Sequence, residues 1–114
     1  MSAPLITVVE AKSYQAVADR LLSDAERRDI SDLLAAHPQA GDLLVGGNGI
    51  RKLRFGRGHK GKSGGVRVIY YYHNPAVPVF LLDLFAKGEK ANLTRAQIAL
   101  LGSAAERIAR EYGQ

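Results

Sequence analysis

Ile50-Arg-Lys-Leu-Arg-Phe55, Val66-Arg-Val-Ile-Tyr-Tyr-Tyr72 and Pro78-Val-Phe-Leu-Leu-Asp-Leu-Phe85 are three β-forming runs separated by glycine- and proline-bearing connections, and they decide the fold. The first mixes apolar and cationic residues, and the two-residue period of a strand puts Lys52 and Arg54 on one face. The second is dominated by β-branched and aromatic residues, and Asn74-Pro75 turns the chain into the third. That third run is apolar on both faces, so it is expected to be an interior strand covered on one side by helices. Between the first two, Gly56 to Gly65 holds five glycines and three cationic side chains, a composition that suits a mobile basic loop and no regular element.

Outward from this centre, Leu5-Ile-Thr-Val-Val-Glu10 reads as a first strand. From Tyr14, the residues Val17, Ala18, Leu21 and Leu22 recur at helical spacing. Ser23-Asp-Ala-Glu26 is a capping box, in which the serine oxygen accepts an orphan amide and the glutamate reaches back; Ile30, Leu33 and Leu34 then mark an apolar stripe that Pro38 ends. Gly41 to Gly49 is a glycine-rich connection. Thr94-Arg-Ala-Gln97 is a second capping box, with Leu93 and Ile98 placed to staple it, and Ile98, Leu101, Ala105, Ile108 and Tyr112 form one stripe of a last helix. The order β-α-α-β-β-β-α predicts an α+β fold: a small twisted, mainly antiparallel sheet with helices packed on one face and the other face free for basic residues.

A chain of 114 residues is one domain's worth, so residues 1–114 are read as a single domain with a single site. A composition of 46% hydrophobic and 24% charged residues is that of an ordinary globular domain. The absence of cysteine excludes a disulfide framework, a thiolate metal site and a cysteine nucleophile, and fits the cytoplasm. No stretch approaches the roughly 18 apolar residues that span a bilayer, and the start lacks a basic segment followed by a long apolar run, so neither export nor a membrane partner is expected.

The net charge of +5 is localised. Arg51, Lys52, Arg54, Arg57, Lys60, Lys62 and Arg67 contribute +7 with no acid among them, while the remaining nine bases face eleven acids. An unbalanced basic patch interleaved with strand residues and glycines concentrates a polyanion, with nucleic acid the usual candidate.

Gly56-Arg-Gly-His-Lys-Gly61-Lys62-Ser63 fits the phosphate-loop pattern G-x-x-x-x-G-K-[ST], and Val79-Phe-Leu-Leu-Asp83 resembles the acid-terminated strand that holds magnesium in nucleotide-hydrolysing enzymes. That chemistry requires a helix starting at the Lys-Ser pair, whose amides cradle the phosphates. Here Gly64-Gly65 and a strand follow, so the glycines are better read as letting a basic loop follow a phosphate backbone.

Gly49-Ile-Arg-Lys-Leu-Arg54, Gly58-His-Lys-Gly-Lys-Ser-Gly-Gly65, Val66-Arg67-Val-Ile-Tyr-Tyr72 and Lys87-Gly-Glu-Lys90-Ala-Asn-Leu-Thr94, in that order, resemble the HigB-like branch of the RelE/ParE toxin superfamily, over nearly the whole chain from about Tyr14. The resemblance implies a compact twisted sheet and a toxin that cuts messenger RNA in the ribosomal decoding site. It also implies a cognate antitoxin, helix-turn-helix and HigA-like, encoded beside it. Lys52 and Arg54 match the family's strand-borne basic pair, Arg67 its phosphate-contacting arginine, and Lys87 and Lys90 its basic segment after the last strand. The chain departs from several family ribonucleases in having Gly88 where they carry an arginine and Thr94 where some carry a tyrosine. Gyrase-inhibiting ParE-like members that bind without cutting, and a simple RNA-binding module, are the alternative readings.

RNA supplies its own nucleophile in the 2′-hydroxyl, so a nuclease needs to align it with the adjacent phosphate, take its proton, offset phosphoryl charge and protonate the leaving 5′-oxygen. Cations suffice for most of this, and no metal or other cofactor is expected: His37, His59 and His73 lie in separate segments without metal-ligand spacing. In this reading Arg67 clamps the phosphate with its guanidinium fork. Lys52 is the general base, its charged form disfavoured by Arg54, Arg67 and Lys87 nearby. Arg54 stabilises the transition state, and Lys87 or Lys90 protonates the leaving group. Arg51, Arg57, Lys60 and Lys62 are candidates for RNA phosphate contacts, His59 is a loop histidine beside them, and Tyr71 shares the strand face of Arg67 as a base-stacking candidate. Tyr70 and Tyr72 are read as structural.

Overall fold

In the computed structural model, residues 5–56, 65–86, 88 and 93–112 are described. The chain runs β1 (Val8–Glu10), α1 (Lys12–Leu21), α2 (Asp24–Ala36), β2 (Asp42–Leu43), β3 (Ile50–Phe55), β4 (Val66–Tyr71), β5 (Val79–Ala86) and α3 (Arg95–Glu111). The strands form one sheet of order β1-β5-β4-β3-β2, in which β1 pairs parallel with β5 and every other pairing is antiparallel. The expected α+β class, the mainly antiparallel sheet and the interior position of β5 all hold. One short strand is added, because the glycine-rich connection pairs Asp42 and Leu43 with Lys52 and Arg51.

Both capping boxes form. Ser23 Oγ accepts from the Glu26 amide at 3.1 Å while Glu26 Oε1 accepts from the Ser23 amide at 2.8 Å. Thr94 and Gln97 repeat the arrangement at 3.1 and 2.7 Å. Each box contributes about 1 kcal/mol toward starting its helix at that residue.

The expectation that all helices share one face of the sheet is corrected by the packing. One cluster joins Tyr14 and Ala18 of α1, Ile30 and Leu34 of α2, and Leu53, Val66, Val68, Tyr70, Val79, Leu81 and Leu84 of the sheet. A second joins Ile50, Ile69, Tyr71, Leu82 and Phe85 to Ala105 of α3, with Leu93, Leu101 and Ile108 packed against it. Successive strand residues point to opposite faces, so α1 and α2 cover one side and α3 the other. The physical reason is β4 and β5 themselves: an apolar run without polar alternation presents two faces that both need cover. Lys52, Arg54 and Arg67 therefore share a face with α3 and have no face to themselves.

Packing details anchor these layers. Tyr70 is fully buried, its hydroxyl accepting from the Gly41 amide and donating to the Pro38 carbonyl, both at 2.8 Å. A Cβ at Gly41 would lie 2.8 Å from the Tyr70 ring and 2.9 Å from the Lys52 carbonyl oxygen, so only glycine lets the chain pass there. Arg27 of α2 holds Glu10 of β1 through two hydrogen bonds at 2.9 and 3.1 Å and also pairs with Asp19 of α1, tying three elements together. Among the described residues, no helix is long and apolar enough to cross a membrane.

Candidate functional site

The register of β3, β4 and β5 builds the site. Arg54 lies directly opposite Arg67, which in turn lies opposite Phe85; one row along, Lys52 is opposite Ile69 and Ile69 opposite Asp83. Directly opposed residues share a face with Cβ atoms about 5 Å apart, so Lys52, Arg54 and Arg67 are side by side as the alternation predicts. Their face is that of Ile69 and Tyr71, the one α3 packs on. Helix α3 closes over Ile50, Ile69 and Tyr71, whereas Arg54 is exposed and Lys52 and Arg67 are half-buried. Arg54, Phe55, Gly56, Gly65 and Arg67 line an open cleft of about 310 Å³ where the hairpin strands part.

Two guanidinium groups directly opposed across a strand pair repel each other, a cost of up to about 1 kcal/mol. Among the described residues no carboxylate pairs with either one; Arg67 Nη1 is 3.4 Å from the Val66 carbonyl, whereas Arg27 is paired with Glu10 and Asp19. Asp83 is opposite Ile69, and its Oδ1 accepts from the Leu84 amide at 2.8 Å. Uncompensated like charge at the rim of a cleft is the arrangement of an anion site, able to grip a phosphodiester between two guanidinium groups.

Other candidates fall elsewhere. Arg51 points to the opposite face, where its Nη1 donates to the carbonyls of Gly41 at 2.6 Å and Gln39 at 3.2 Å, so it braces the turn before β2. Tyr71 does share the parity of Arg67, but it is 3% exposed beneath α3 and its ring stacks on His73 at 6.1 Å between centroids. It is a packing residue here, its ring occupied by its neighbours. Tyr70 is structural, as read, and Tyr72 packs at the margin of the first cluster. His37 caps the end of α2. Arg57, His59, Lys60, Lys62, Lys87 and Lys90 lie outside the described residues. So does most of the phosphate-loop-like string, but the element that follows it is strand β4 with no helix, contrary to what nucleotide binding requires.

Both departures from the family pattern have local causes. Gly88 has φ +100°, a left-handed conformation that strains any residue with a Cβ. Thr94 is the N-cap of α3, a position its hydroxyl fills and a tyrosine would not.

One residue on this face escaped the sequence reading. Strict alternation from Val79 and Leu81 would place Asp83 with the α1/α2 core. The register shifts between Ile69 and Tyr70, leaving Leu82 as an extra residue, and this bulge turns Asp83 to the face of Ile69. Ser13 of α1 secures it, its hydroxyl donating to the Leu82 carbonyl at 2.6 Å.

Fold and geometry together define a small α+β domain with an unneutralised cationic shelf beside a glycine-flanked cleft. Residues 8–113 match the family described as the RelE toxin of the RelE/RelB toxin–antitoxin system, and the chain belongs to that family. It is thus a toxin of a toxin–antitoxin system, and the family implies an antitoxin partner.

Proposed function

We propose that this toxin is a ribosome-dependent, metal-independent messenger RNA endoribonuclease of the HigB-like branch, a single domain over residues 1–114. It inhibits translation in the cytoplasm until a HigA-like helix-turn-helix antitoxin silences it. The observation that supports the reading is the direct opposition of Arg54 and Arg67, with Lys52 on the same face and no carboxylate pairing with the two arginines among the described residues.

In this mechanism Arg67 and Arg54 hold the non-bridging oxygens of one phosphate, the former through its bidentate fork. Lys52, one row away, takes the proton of the 2′-hydroxyl. That oxygen then attacks the adjacent phosphorus, the P–O5′ bond breaks, and a proton from Lys87 or Lys90 goes to the leaving oxygen. The products are a 2′,3′-cyclic phosphate and a 5′-hydroxyl. The two guanidinium groups offset the charge that develops on the phosphoryl oxygens, an effect for which loss of one donor costs about 100- to 1000-fold in rate. Arg57, Lys60, Lys62 and His59 supply further RNA contacts.

Lys52→Ala and Arg67→Ala are each expected to relieve growth arrest on induction and to stop cleavage of ribosome-bound message. Arg67→Lys keeps the charge but not the fork and is expected to lose most cleavage, whereas a protein that only binds RNA would tolerate it. Full toxicity in both alanine variants rejects the site. Altered DNA supercoiling with messages intact on translating ribosomes replaces the reading with gyrase inhibition.

A further inference from the structure

We propose that the cleft between the β5 bulge and the first turns of α3 is a nucleobase pocket that selects guanine through Asp83, an inference that rests on the RNA-cleaving function proposed above. The cleft is lined by Asp83, Leu93, Gln97, Leu100 and Leu101 and measures about 180 Å³. Its walls are leucine apart from one carboxylate and one carboxamide. Leu100 is 72% exposed, an apolar side chain left at the cleft mouth. A flat base would cover it, as apolar and aromatic surfaces do where proteins hold unstacked RNA bases.

Position ties this cleft to the cationic shelf. Asp83 is on the same sheet face as Lys52, Arg54 and Arg67, and it is two residues along β5 from Phe85, the partner of Arg67. Such diagonal neighbours are about 7 to 8 Å apart. A nucleotide whose phosphate sits between Arg54 and Arg67 can swing its base across that distance. Yet among the described residues Asp83 pairs with none of these cations, so its carboxylate is held beside them and kept for other donors.

The chemistry of that carboxylate discriminates among bases. Guanine presents two adjacent N–H donors, N1–H and the 2-amino group, to the two oxygens of a carboxylate. Adenine and cytosine set an amino group beside a ring-nitrogen lone pair, which would face the carboxylate unfavourably, and uracil sets one N–H between two carbonyls. Oδ1 already accepts from Leu84 but has a second lone pair, and Oδ2 has both. Gln97 adds a donor for guanine O6: its own oxygen is taken by the Thr94 amide at 2.7 Å, which leaves its amino group.

The test uses the full chain and translating ribosomes programmed with messages that differ at one A-site nucleotide: guanine, inosine, which lacks the 2-amino group, or adenine. Wild type is expected to cut the guanine message about tenfold faster than the inosine one, the effect of one hydrogen bond to a charged group. Asp83→Asn retains an acceptor for the Leu84 amide and is expected to erase that ratio while still cutting. Equal cleavage of guanine and inosine messages by wild type overturns the pocket and leaves the nuclease standing, and this arm needs no variant to fold. An unchanged guanine-to-inosine ratio in Asp83→Asn also overturns it. So does loss of antitoxin affinity in that variant with the ratio intact, which would reassign the cleft to the antitoxin. No cleavage of any message by wild type overturns both proposals together.

Discussion

Arg54 and Arg67 face each other directly across β3 and β4, two guanidinium groups in register on one face of a sheet. Nothing in folding favours that opposition. Like charges at directly opposed positions destabilise a strand pair, so the arrangement costs stability that a ligand phosphate would return. Replacing Arg54 with threonine, a β-branched residue suited to a strand, is expected to raise stability by about 0.5 kcal/mol, a few degrees in Tm, while abolishing growth arrest. Thermal denaturation at low and high salt checks it, because screening should shrink the gain. A loss of stability would mean that the two groups are not in repulsion.

Two buried tyrosines are expected to respond oppositely to loss of the hydroxyl. Tyr70→Phe leaves the Gly41 amide and the Pro38 carbonyl without the partner that now joins them, and should cost about 1 to 3 kcal/mol. The Tyr14 hydroxyl is buried with no hydrogen-bond partner among the described residues, so Tyr14→Phe is expected to be neutral or to stabilise by about 1 kcal/mol. Urea midpoints of the two variants measured side by side decide the matter.

Alkaline pH is expected to weaken the fold. Burial pushes the phenols of Tyr14, Tyr70 and Tyr71 above their ordinary value of 10.0, with Glu10 adding to the rise at Tyr14. A raised native value means the folded state keeps these protons longer than the unfolded one. Their contribution is full below pH 10 and is lost as pH climbs from there through the raised native values. Urea midpoints should therefore fall as pH rises from about 10 upward, and Tyr14→Phe should flatten that fall. A midpoint that rises over this range would contradict the burial of these hydroxyls.

Ser13→Ala removes the hydroxyl that satisfies the Leu82 carbonyl at the bulge. A cost of about 1 kcal/mol is expected, with a Tm lower by several degrees. If the bulge is what presents Asp83, the variant should also lose base discrimination while retaining cleavage. A stable variant with unchanged selectivity would show that the bulge holds without α1.

Gly41→Ala is expected to be more damaging than its size implies. The added methyl would meet the Tyr70 ring and the Lys52 carbonyl oxygen at under 3 Å, so the strand carrying Lys52 must shift. About 1 to 3 kcal/mol is expected from overpacking, together with reduced cleavage. Circular dichroism melts and single-turnover cleavage separate the two effects.

Much of this was written locally in the chain. Helix starts were legible because Ser23/Glu26 and Thr94/Gln97 satisfy orphan amides within four residues, and strand character was legible because Ile50–Phe55 carries a two-residue period and Val66–Tyr71 is rich in β-branched and aromatic residues. That period alone put Lys52 and Arg54 on one face, and the run of bases without acids marked the segment that meets a polyanion. What tertiary structure decided was everything that depends on one element meeting another. Which face α3 would cover turned on both sides of β4 and β5 being apolar. The fate of Tyr71 followed from that choice, and that of Arg51 from two carbonyls ten and twelve residues back. Asp83 is the sharpest case: a single bulged residue reverses the parity of a strand, and its carbonyl is satisfied by a serine 69 positions away, a relation that no local pattern can encode.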